Sequence, residues 1–196
     1  MEIEYKAFQG KAIESQFDAL AALRITVFRD YPYLYEGDVA YEREYLKTYS
    51  NAESALMFGA FYRNSLVGAT TCIPLEDETE DVKKPFKDAG MRLSEIFYFG
   101  ESILLSEFRG LGIGNKFFDA REAHAAGFGT FHSTCFCAVQ RPEDHPLRPD
   151  GYQPLDGFWI KRGYRKVPEL VSHFEWKDVG ESESTAKPMM YWMRNF

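Results

Sequence analysis

Ile13, Phe17, Leu20 and Val27 fall at helical spacing, and Asp18, Arg24 and Arg29 take positions left for solvent, so the pattern predicts a first helix over 13–30 after a short extended start. A tyrosine-rich stretch punctuated by Pro32 and Gly37 reads as loop, and residues 39–49 resume a helical pattern through Tyr41, Tyr45 and Leu46. Two apolar runs of strand length, 55–62 and 66–74, are joined by Arg63, Asn64 and Ser65, a connection suited to an antiparallel hairpin. Residues 76–91 turn polar, with five acidic side chains between Glu76 and Asp81, and are expected to form a solvated surface insertion with at most a short helix. Residues 95–105 are dense in aromatic and branched side chains, as a central strand is. The loop SEFRGLGIG follows, then a helix over 115–126 stopped by Gly127 and Gly129. A β-rich run over 130–139 leads into a loop, 141–157, with four prolines and two glycines. One or two helical turns over 157–163 and a closing strand pair, 166–179 and 187–196, around the polar loop GESESTA complete the chain. No internal repeat or linker divides it, so residues 1–196 are read as one α/β domain.

Composition narrows the function. Hydrophobic residues make up 45% and aromatic residues 16%, enough apolar surface to offset the entropy of folding. A formal charge of −7 supplies no basic excess to displace counterions, so nucleic acid is not expected as a partner. An acidic surface is compatible with a cationic small-molecule or peptide substrate. Cys72, Cys135 and Cys137 lie in apolar strand-like runs and read as buried thiols in a reducing cytosol. His124, His132, His145 and His173 show no metal spacing with the cysteines, so no metal site is expected. The first ten residues carry Glu2, Glu4 and Lys6 rather than a charged-then-apolar leader, and no apolar run approaches membrane-spanning length. A cytoplasmic protein with no membrane partner is expected.

Gly110, Gly112 and Gly114 alternate directly after the central strand and at the mouth of a helix. The first N–H groups of a helix have no intrahelical partner and carry the positive end of its dipole, so a glycine-rich turn opens them to phosphate oxygens. Arg109 adds a charge-assisted contact. The alternative is a tight turn that uses glycine only for its dihedral freedom. A dinucleotide loop of the GxGxxG type needs glycine where the chain has Asn115, and a P-loop needs Gly-Lys-Ser/Thr where it has Gly114, Asn115 and Lys116.

The pattern Arg-x-x-Gly-x-Gly at Arg109, Gly112 and Gly114 resembles the GNAT superfamily of N-acetyltransferases. The resemblance extends in order over an N-terminal helix pair, the hairpin FGAFYRNSLVGATT, the strand before the loop, and a late WIKRGYRK similar to the family's second short motif. It implies an α/β fold with a mixed, mostly antiparallel central sheet flanked by helices, and a strand, glycine loop and helix that bind coenzyme A. Acetyl-CoA is the implied cosubstrate. Ile103, Leu104 and Leu105 are then expected to offer backbone groups to the pantetheine arm, and Arg109, Gly110, Leu111, Gly112, Ile113, Gly114, Asn115 and Lys116 to line the diphosphate.

Acetyl transfer to a primary amine by direct attack in a ternary complex needs a base for the ammonium proton, stabilisation of an oxyanion and a proton for the departing thiolate. Glu101 is the candidate base: strand alternation places it with Phe97, Phe99, Ile103 and Leu105, apolar neighbours that raise a carboxylate pKa. The other reading of Glu101 is a carboxylate paired with an arginine. A backbone N–H near Leu104 is the candidate for the oxyanion. For the acid, the resembled family often uses a tyrosine four residues before the glycine of the second motif, a position held here by Trp159. Tyr152 is the nearest replacement, the other option being a thiolate that leaves into solvent. Tyr164 reads as a packed aromatic, Cys135 and Cys137 as small hydrophobes rather than nucleophiles, and His145 as the histidine to test.

The departures at Trp159 and Asp156 keep a second class open, an acyl-CoA-binding sensor or interaction domain without transfer. The amine acceptor is expected between loop 31–38, with Tyr31, Tyr33, Tyr35, Glu36 and Asp38, and loop 142–154, with Glu143, Asp144 and Tyr152, where aromatic faces and carboxylates suit a cation. The oligomeric state is left open, a homodimer among the options.

Overall fold

The computed structural model describes residues 2–196. The extended start is a strand, β1 (Glu4–Gln9), paired antiparallel to β2 (Leu56–Tyr62). Arg63 and Asn64 sit in the left-handed region, with φ of 50° and 67°, which gives the turn after β2 the twist that joins right-twisted strands. That turn closes the expected hairpin onto β3 (Ser65–Pro74). β4 (Ile96–Leu104) lies antiparallel to β3, and β5 (Ser133–Val139) lies parallel to β4. β6 (Arg165–Lys177) and β7 (Ser184–Asn195) form the closing hairpin, each strand starting and ending earlier than its sequence pattern suggests. The seven-stranded order is β1-β2-β3-β4-β5-β7-β6, and β4–β5 is the parallel pair in an otherwise antiparallel sheet.

Helix α1 (Phe17–Phe28) follows a 3₁₀ segment, Gly10–Gln16, so the α-helix begins later than residue 13. Ile13 still reaches the core from the tighter winding, because a 3₁₀ turn satisfies an i, i+3 or i, i+4 apolar spacing as an α-turn does. Helix α2 (Val39–Asn51) packs beside α1 on one face of the sheet, over Leu20, Leu46, Met57, Ile73 and Tyr98. The acidic segment holds α3 (Glu80–Asp88), and it is not a solvated insertion: Val82 and Phe86 are buried, Glu78 is 2% exposed, and the Tyr191 hydroxyl donates to the Val82 carbonyl at 3.0 Å. Its apolar positions fall on one side of the helix, which docks against β6, while Glu80 and Asp81 remain outside. On the other face of the sheet, α4 (Ile113–Gly127) and α5 (Asp156–Lys161) cover an aromatic cluster of Phe97, Phe99, Phe118, Phe136 and Trp192.

Two irregularities in β4 position the site. Thr70 pairs with Ser102 and Cys72 with Phe99, so one residue of β3 opposes Gly100 and Glu101 together. This bulge exchanges the two faces of the strand. Phe97 and Phe99 face α4, whereas Glu101 and Ile103 face α1 and α2. The expectation that Glu101 shares a face with Phe97 and Phe99 is therefore corrected, since unbroken alternation does not cross a bulge. A Cβ on Gly100 would lie 2.1 Å from the Tyr49 hydroxyl, which is why glycine occupies the bulge. The second irregularity is a fork. β4 and β5 pair only from Ile96↔Ser133 to Tyr98↔Cys135, although β4 runs on to Leu104 and β5 to Val139.

Candidate active site

The glycine loop leaves the end of β4 through a 3₁₀ turn, Ser106–Phe108. Gly110 and Gly112 both adopt φ 78°, and Gly112 is the N-cap of α4 with no side chain capping the helix. The Asn115 and Lys116 N–H groups donate back to the Gly112 carbonyl, at 3.1 and 3.4 Å. The N–H groups of Gly110, Leu111, Gly112, Ile113 and Gly114 meet no backbone acceptor among the described residues. Ile113 anchors the turn, its side chain buried against Phe108 and Phe117. A Cβ on Gly110 or Gly112 would meet no protein atom within 4 Å, so within the chain these glycines serve the left-handed backbone rather than a crowded packing site. The result is an uncapped helix N-terminus with several unpaired donors, the arrangement that binds phosphate oxygens. A diphosphate therefore fits the residues present. Arg109 turns back along β4, its Nε donating to the Leu104 carbonyl at 3.4 Å, and Lys116 and Asn115 are exposed on the first turn.

Beside the fork, backbone direction separates the three residues expected to face the pantetheine arm. The Leu105 N–H donates to the Val67 carbonyl of β3 at 3.0 Å. By alternation along the ladder Ile103 also points its backbone groups at β3, while Leu104 and Ser102 point theirs into the fork. Ser102 is thus a residue that sequence reasoning missed.

On the α1 and α2 face, a cavity of about 560 Å³ lies beside the fork, walled by Arg24, Tyr33, Tyr35, Glu42, Glu101 and Trp176 among others. Arg24 was expected at the surface; it is 9% exposed and sits between two carboxylates. Its Nε donates to Glu42 Oε2 and its Nη1 to Glu101 Oε2, the latter at 2.5 Å, while its guanidinium lies 4.5 Å from the centre of the Tyr45 ring. Pairing leaves the buried Oε1 of both Glu42 and Glu101 without a hydrogen-bond partner among the described residues. Burial pushes the Glu101 pKa upward, Arg24 pulls it down, and Glu42 raises it again. Glu101 is therefore paired with an arginine, as one sequence reading had it, and burial still raises its pKa. Behind it the Tyr49 hydroxyl donates to Glu78 at 2.7 Å and lies 3.1 Å from the Tyr45 hydroxyl, fixing the cavity floor.

The predicted acceptor residues divide. Tyr33 and Tyr35 line the cavity, and burial raises both phenol pKa values. Glu36 and Asp38 lie outside it. Glu36 pairs with Lys177 at 3.3 Å, and Asp38 caps α2 by accepting the Tyr41 N–H at 2.8 Å. Their positions follow from α2 starting at Val39, which gives Asp38 the cap and places Glu42 one turn inside, facing Arg24. Tyr152 sits edge-on to Tyr31 with ring centres 4.7 Å apart, and His145 is tilted against the same ring at 5.8 Å; neither is among the residues that line the cavity. Trp159 is packed between Phe136 and Trp192, 5.1 Å from each. Tyr164 is buried with its hydroxyl 2.9 Å from that of Thr134, as expected of a packed aromatic. Burial raises the thiol pKa of Cys135 and pushes that of Cys137 up to about 12, which keeps both protonated and inert.

Two features had weak sequence signals. Arg141 donates to both oxygens of Asp178, at 2.7 and 2.9 Å, and to the Pro32 and Tyr33 carbonyls, tying loop 31–38 to the end of β6. A second cavity, bordered by Arg92, Glu95, His132 and Phe196, lies at the start of β4, away from the glycine loop. Among the described residues no cluster of His, Cys, Asp and Glu is arranged to hold a metal ion.

No protein-family model and no curated protein sequence matches the chain. Solved structures do. A ribosomal-protein-alanine N-acetyltransferase from Brucella melitensis is 12% identical with a TM-score of 0.61, over 100% of both chains. Arabidopsis thaliana NAA60, in complex with a bisubstrate analogue, is 12% identical with a TM-score of 0.63, over 100% of this chain and 99% of that one. The PaiA N-acetyltransferase of Thermoplasma acidophilum, in complex with coenzyme A, is 11% identical with a TM-score of 0.55, over 100% of both chains. Full coverage at such low identity is a likeness of architecture, and together with the forked sheet and glycine-loop helix it establishes that this chain has the GNAT fold.

Proposed function

We propose that the protein is an N-acetyltransferase that moves an acetyl group from acetyl-CoA to a primary amine by direct attack in a ternary complex. One observation carries this reading: a single strand, β4, ends in the donor-rich glycine loop and, three residues before Leu104, turns Glu101 through a bulge into the lining of the cavity. The coenzyme A complex of the Thermoplasma protein and the bisubstrate complex of the Arabidopsis protein support the same use of the fold.

In this reading the N–H groups of residues 110–114 hold the diphosphate, with Lys116 and Asn115 beside it. Leu104 and Ser102 align the pantetheine arm through backbone groups, and the same edge supplies a donor for the carbonyl oxygen as negative charge grows on it. Glu101 takes the proton from the acceptor ammonium, its raised pKa bringing it closer to the working pH. Arg24 holds Glu101 in place, and Tyr33, Tyr35 and Trp176 wall the acceptor. Tyr152, packed against Tyr31, is not given a part in thiolate departure in this reading.

The test is coenzyme A binding by calorimetry together with thiol release from acetyl-CoA across a panel of amines. Binding with amine-dependent thiol release is the expected result. Binding without turnover on any amine assigns the chain to the acyl-CoA sensor class, and no binding removes the coenzyme site.

A further inference from the structure

Arg121, on α4, is one of the largest fully buried side chains in the protein, 2% exposed, and its charge is unanswered. Its guanidinium lies between two rings, 4.4 Å from the centre of Phe99 and 4.5 Å from that of Phe118. Nε has no hydrogen-bond partner among the described residues. The charged and titratable groups that face it are Tyr164, Cys72, Glu122 and Glu101. None is an available anion. Burial raises the pKa of Tyr164 and of Cys72, keeping both neutral. Glu122 is committed to Arg162 at 2.8 Å and to Arg194 at 3.0 Å, and Glu101 is held by Arg24 on the opposite face of the sheet. A buried guanidinium without a carboxylate is costly, and burial has brought its pKa down to about 10 while leaving it a cation at neutral pH.

Its location gives that cost a use. Phe99 is the first β4 residue beyond the last pair with β5, Tyr98↔Cys135, and the Tyr164 hydroxyl bonds Thr134 of β5. Arg121 therefore lies beneath the point where the strands part, on the glycine-loop side, while Gly100 and Cys137 of the two prongs border the cavity on the other side. The fork is the gap in the sheet between the α4 side and the cavity side. The tyrosine expected to protonate a departing thiolate is absent, since Trp159 is packed between Phe136 and Trp192.

We propose that Arg121 is the catalytic cation that receives the thiolate of coenzyme A as acyl transfer proceeds; this rests on the coenzyme reading of the site given above. The acceptor nitrogen bonds to the acyl carbon, the carbon–sulfur bond breaks, and its electron pair stays on sulfur. Glu101 holds the proton lost by the ammonium, and the second proton, lost as the amide forms, passes to water. Arg121 balances the sulfur charge without giving up its own proton, and the thiolate is protonated by water on release. Electrostatic stabilisation replaces general acid catalysis at this step.

The prediction is read without turnover, from the thiol pKa of bound coenzyme A, followed by ultraviolet thiolate absorbance after subtraction of the free protein's titration. In the wild type the bound thiol should titrate below that of free coenzyme A, by about one pH unit or more, a tenfold rise in thiolate at a given pH. Arg121→Lys should keep part of the lowering, and Arg121→Met should abolish it. A purely structural plug would cost stability in both variants and leave the thiol unmoved. The proposal is overturned by a wild-type bound thiol at or above the free value, a measurement that needs no variant to fold, or by an equal lowering in Arg121→Met. Coenzyme A that fails to bind the wild type overturns the coenzyme reading as well, and calorimetry separates that result from an unshifted thiol.

Discussion

Arg24 on α1 and Glu101 on β4 meet at 2.5 Å across 77 residues of chain, and Glu42 on α2 closes the same guanidinium from its other edge. Arg24→Met leaves two buried carboxylates with no cation, a loss of about 3–5 kcal/mol for breaking a buried pair from one side. The pH dependence follows from Glu101, whose pKa burial already raises and Arg24 lowers. Without Arg24 it rises further. A carboxyl with a raised folded pKa contributes favourably below its unfolded pKa, and that contribution is lost as pH rises through the folded value. The deficit of Arg24→Met measured by urea unfolding should thus be largest at neutral pH and above, and shrink toward about pH 5.

Glu101→Gln separates chemistry from folding, because Arg24 keeps Glu42 as its counter-charge. Turnover near neutral pH is expected to fall about 10²-fold, the lower range for loss of a general base, with partial recovery at high pH as the acceptor deprotonates in solution. Coenzyme A affinity should be unchanged. A pH–rate profile that overlays the wild type would return Glu101 to a structural role.

Gly112 and Gly114 differ although both belong to the glycine pattern. Gly112 holds φ 78°, so Gly112→Ala forces an L side chain into the left-handed region at about 1–2 kcal/mol and tilts the free N–H groups of the loop. Coenzyme A binding by calorimetry should weaken at least about tenfold, as 1.4 kcal/mol of misdirected donors implies. Gly114 lies inside α4, with room for a Cβ 3.8 Å from the Phe158 ring, so Gly114→Ala should melt at or near the wild-type temperature.

The hairpin at Arg63–Asn64, the glycine loop and the order of elements were legible because each depends on local chemistry: turn residues, helix starts and apolar period. The buried charges depend on long-range packing, yet they left a trace. Glu42, Leu46 and Tyr49 stand at i, i+4 and i+7, and Arg24 falls in the register of Phe17, Leu20 and Val27, so each charge occupies an apolar stripe of its helix. Assigning Arg24 to solvent followed residue type rather than stripe. The β4 bulge was not legible, because IFYFGESIL alternates acceptably on either face and only the Tyr49 hydroxyl against Gly100 decides it.

Arg141 fastens one wall of the cavity with four hydrogen bonds, to Asp178 and to the Pro32 and Tyr33 carbonyls, and both charged side chains are under 10% exposed. Arg141→Ala leaves Asp178 with Lys187 alone, 3.4 Å away, and frees the Pro32 and Tyr33 carbonyls, so it should cost about 1–3 kcal/mol. Arg141→Lys should recover little, because an ammonium cannot span two carboxylate oxygens and two carbonyls in that planar geometry. In whatever folded fraction remains, the acceptor KM should rise while coenzyme A affinity holds, since loop 31–38 walls the cavity and does not touch the glycine loop.

Glu42 and Glu101 line a cavity with Tyr33, Tyr35, Tyr45 and Trp176, and with Arg24 between them the trio, when ionised, carries one net negative charge. A carboxylate about 4 Å from an ammonium at an effective dielectric of ~20 is worth about 4 kcal/mol before the ammonium sheds its water. Amines bearing a second cation or no further charge should therefore be acetylated in preference to those with a carboxylate beside the nitrogen. Glu42→Gln, which neutralises the trio and keeps the side-chain shape, should raise the KM of a cationic amine by at least about tenfold, only a third of that Coulomb energy, with coenzyme A affinity unaltered. Glu36→Gln is the contrasting variant, because Glu36 is held by Lys177 outside the cavity, and its KM should match the wild type. Preference for carboxylate-bearing acceptors in steady-state kinetics would move the acceptor out of this cavity, and equal effects of Glu42→Gln and Glu36→Gln would move it back toward the exposed loops that the sequence first suggested.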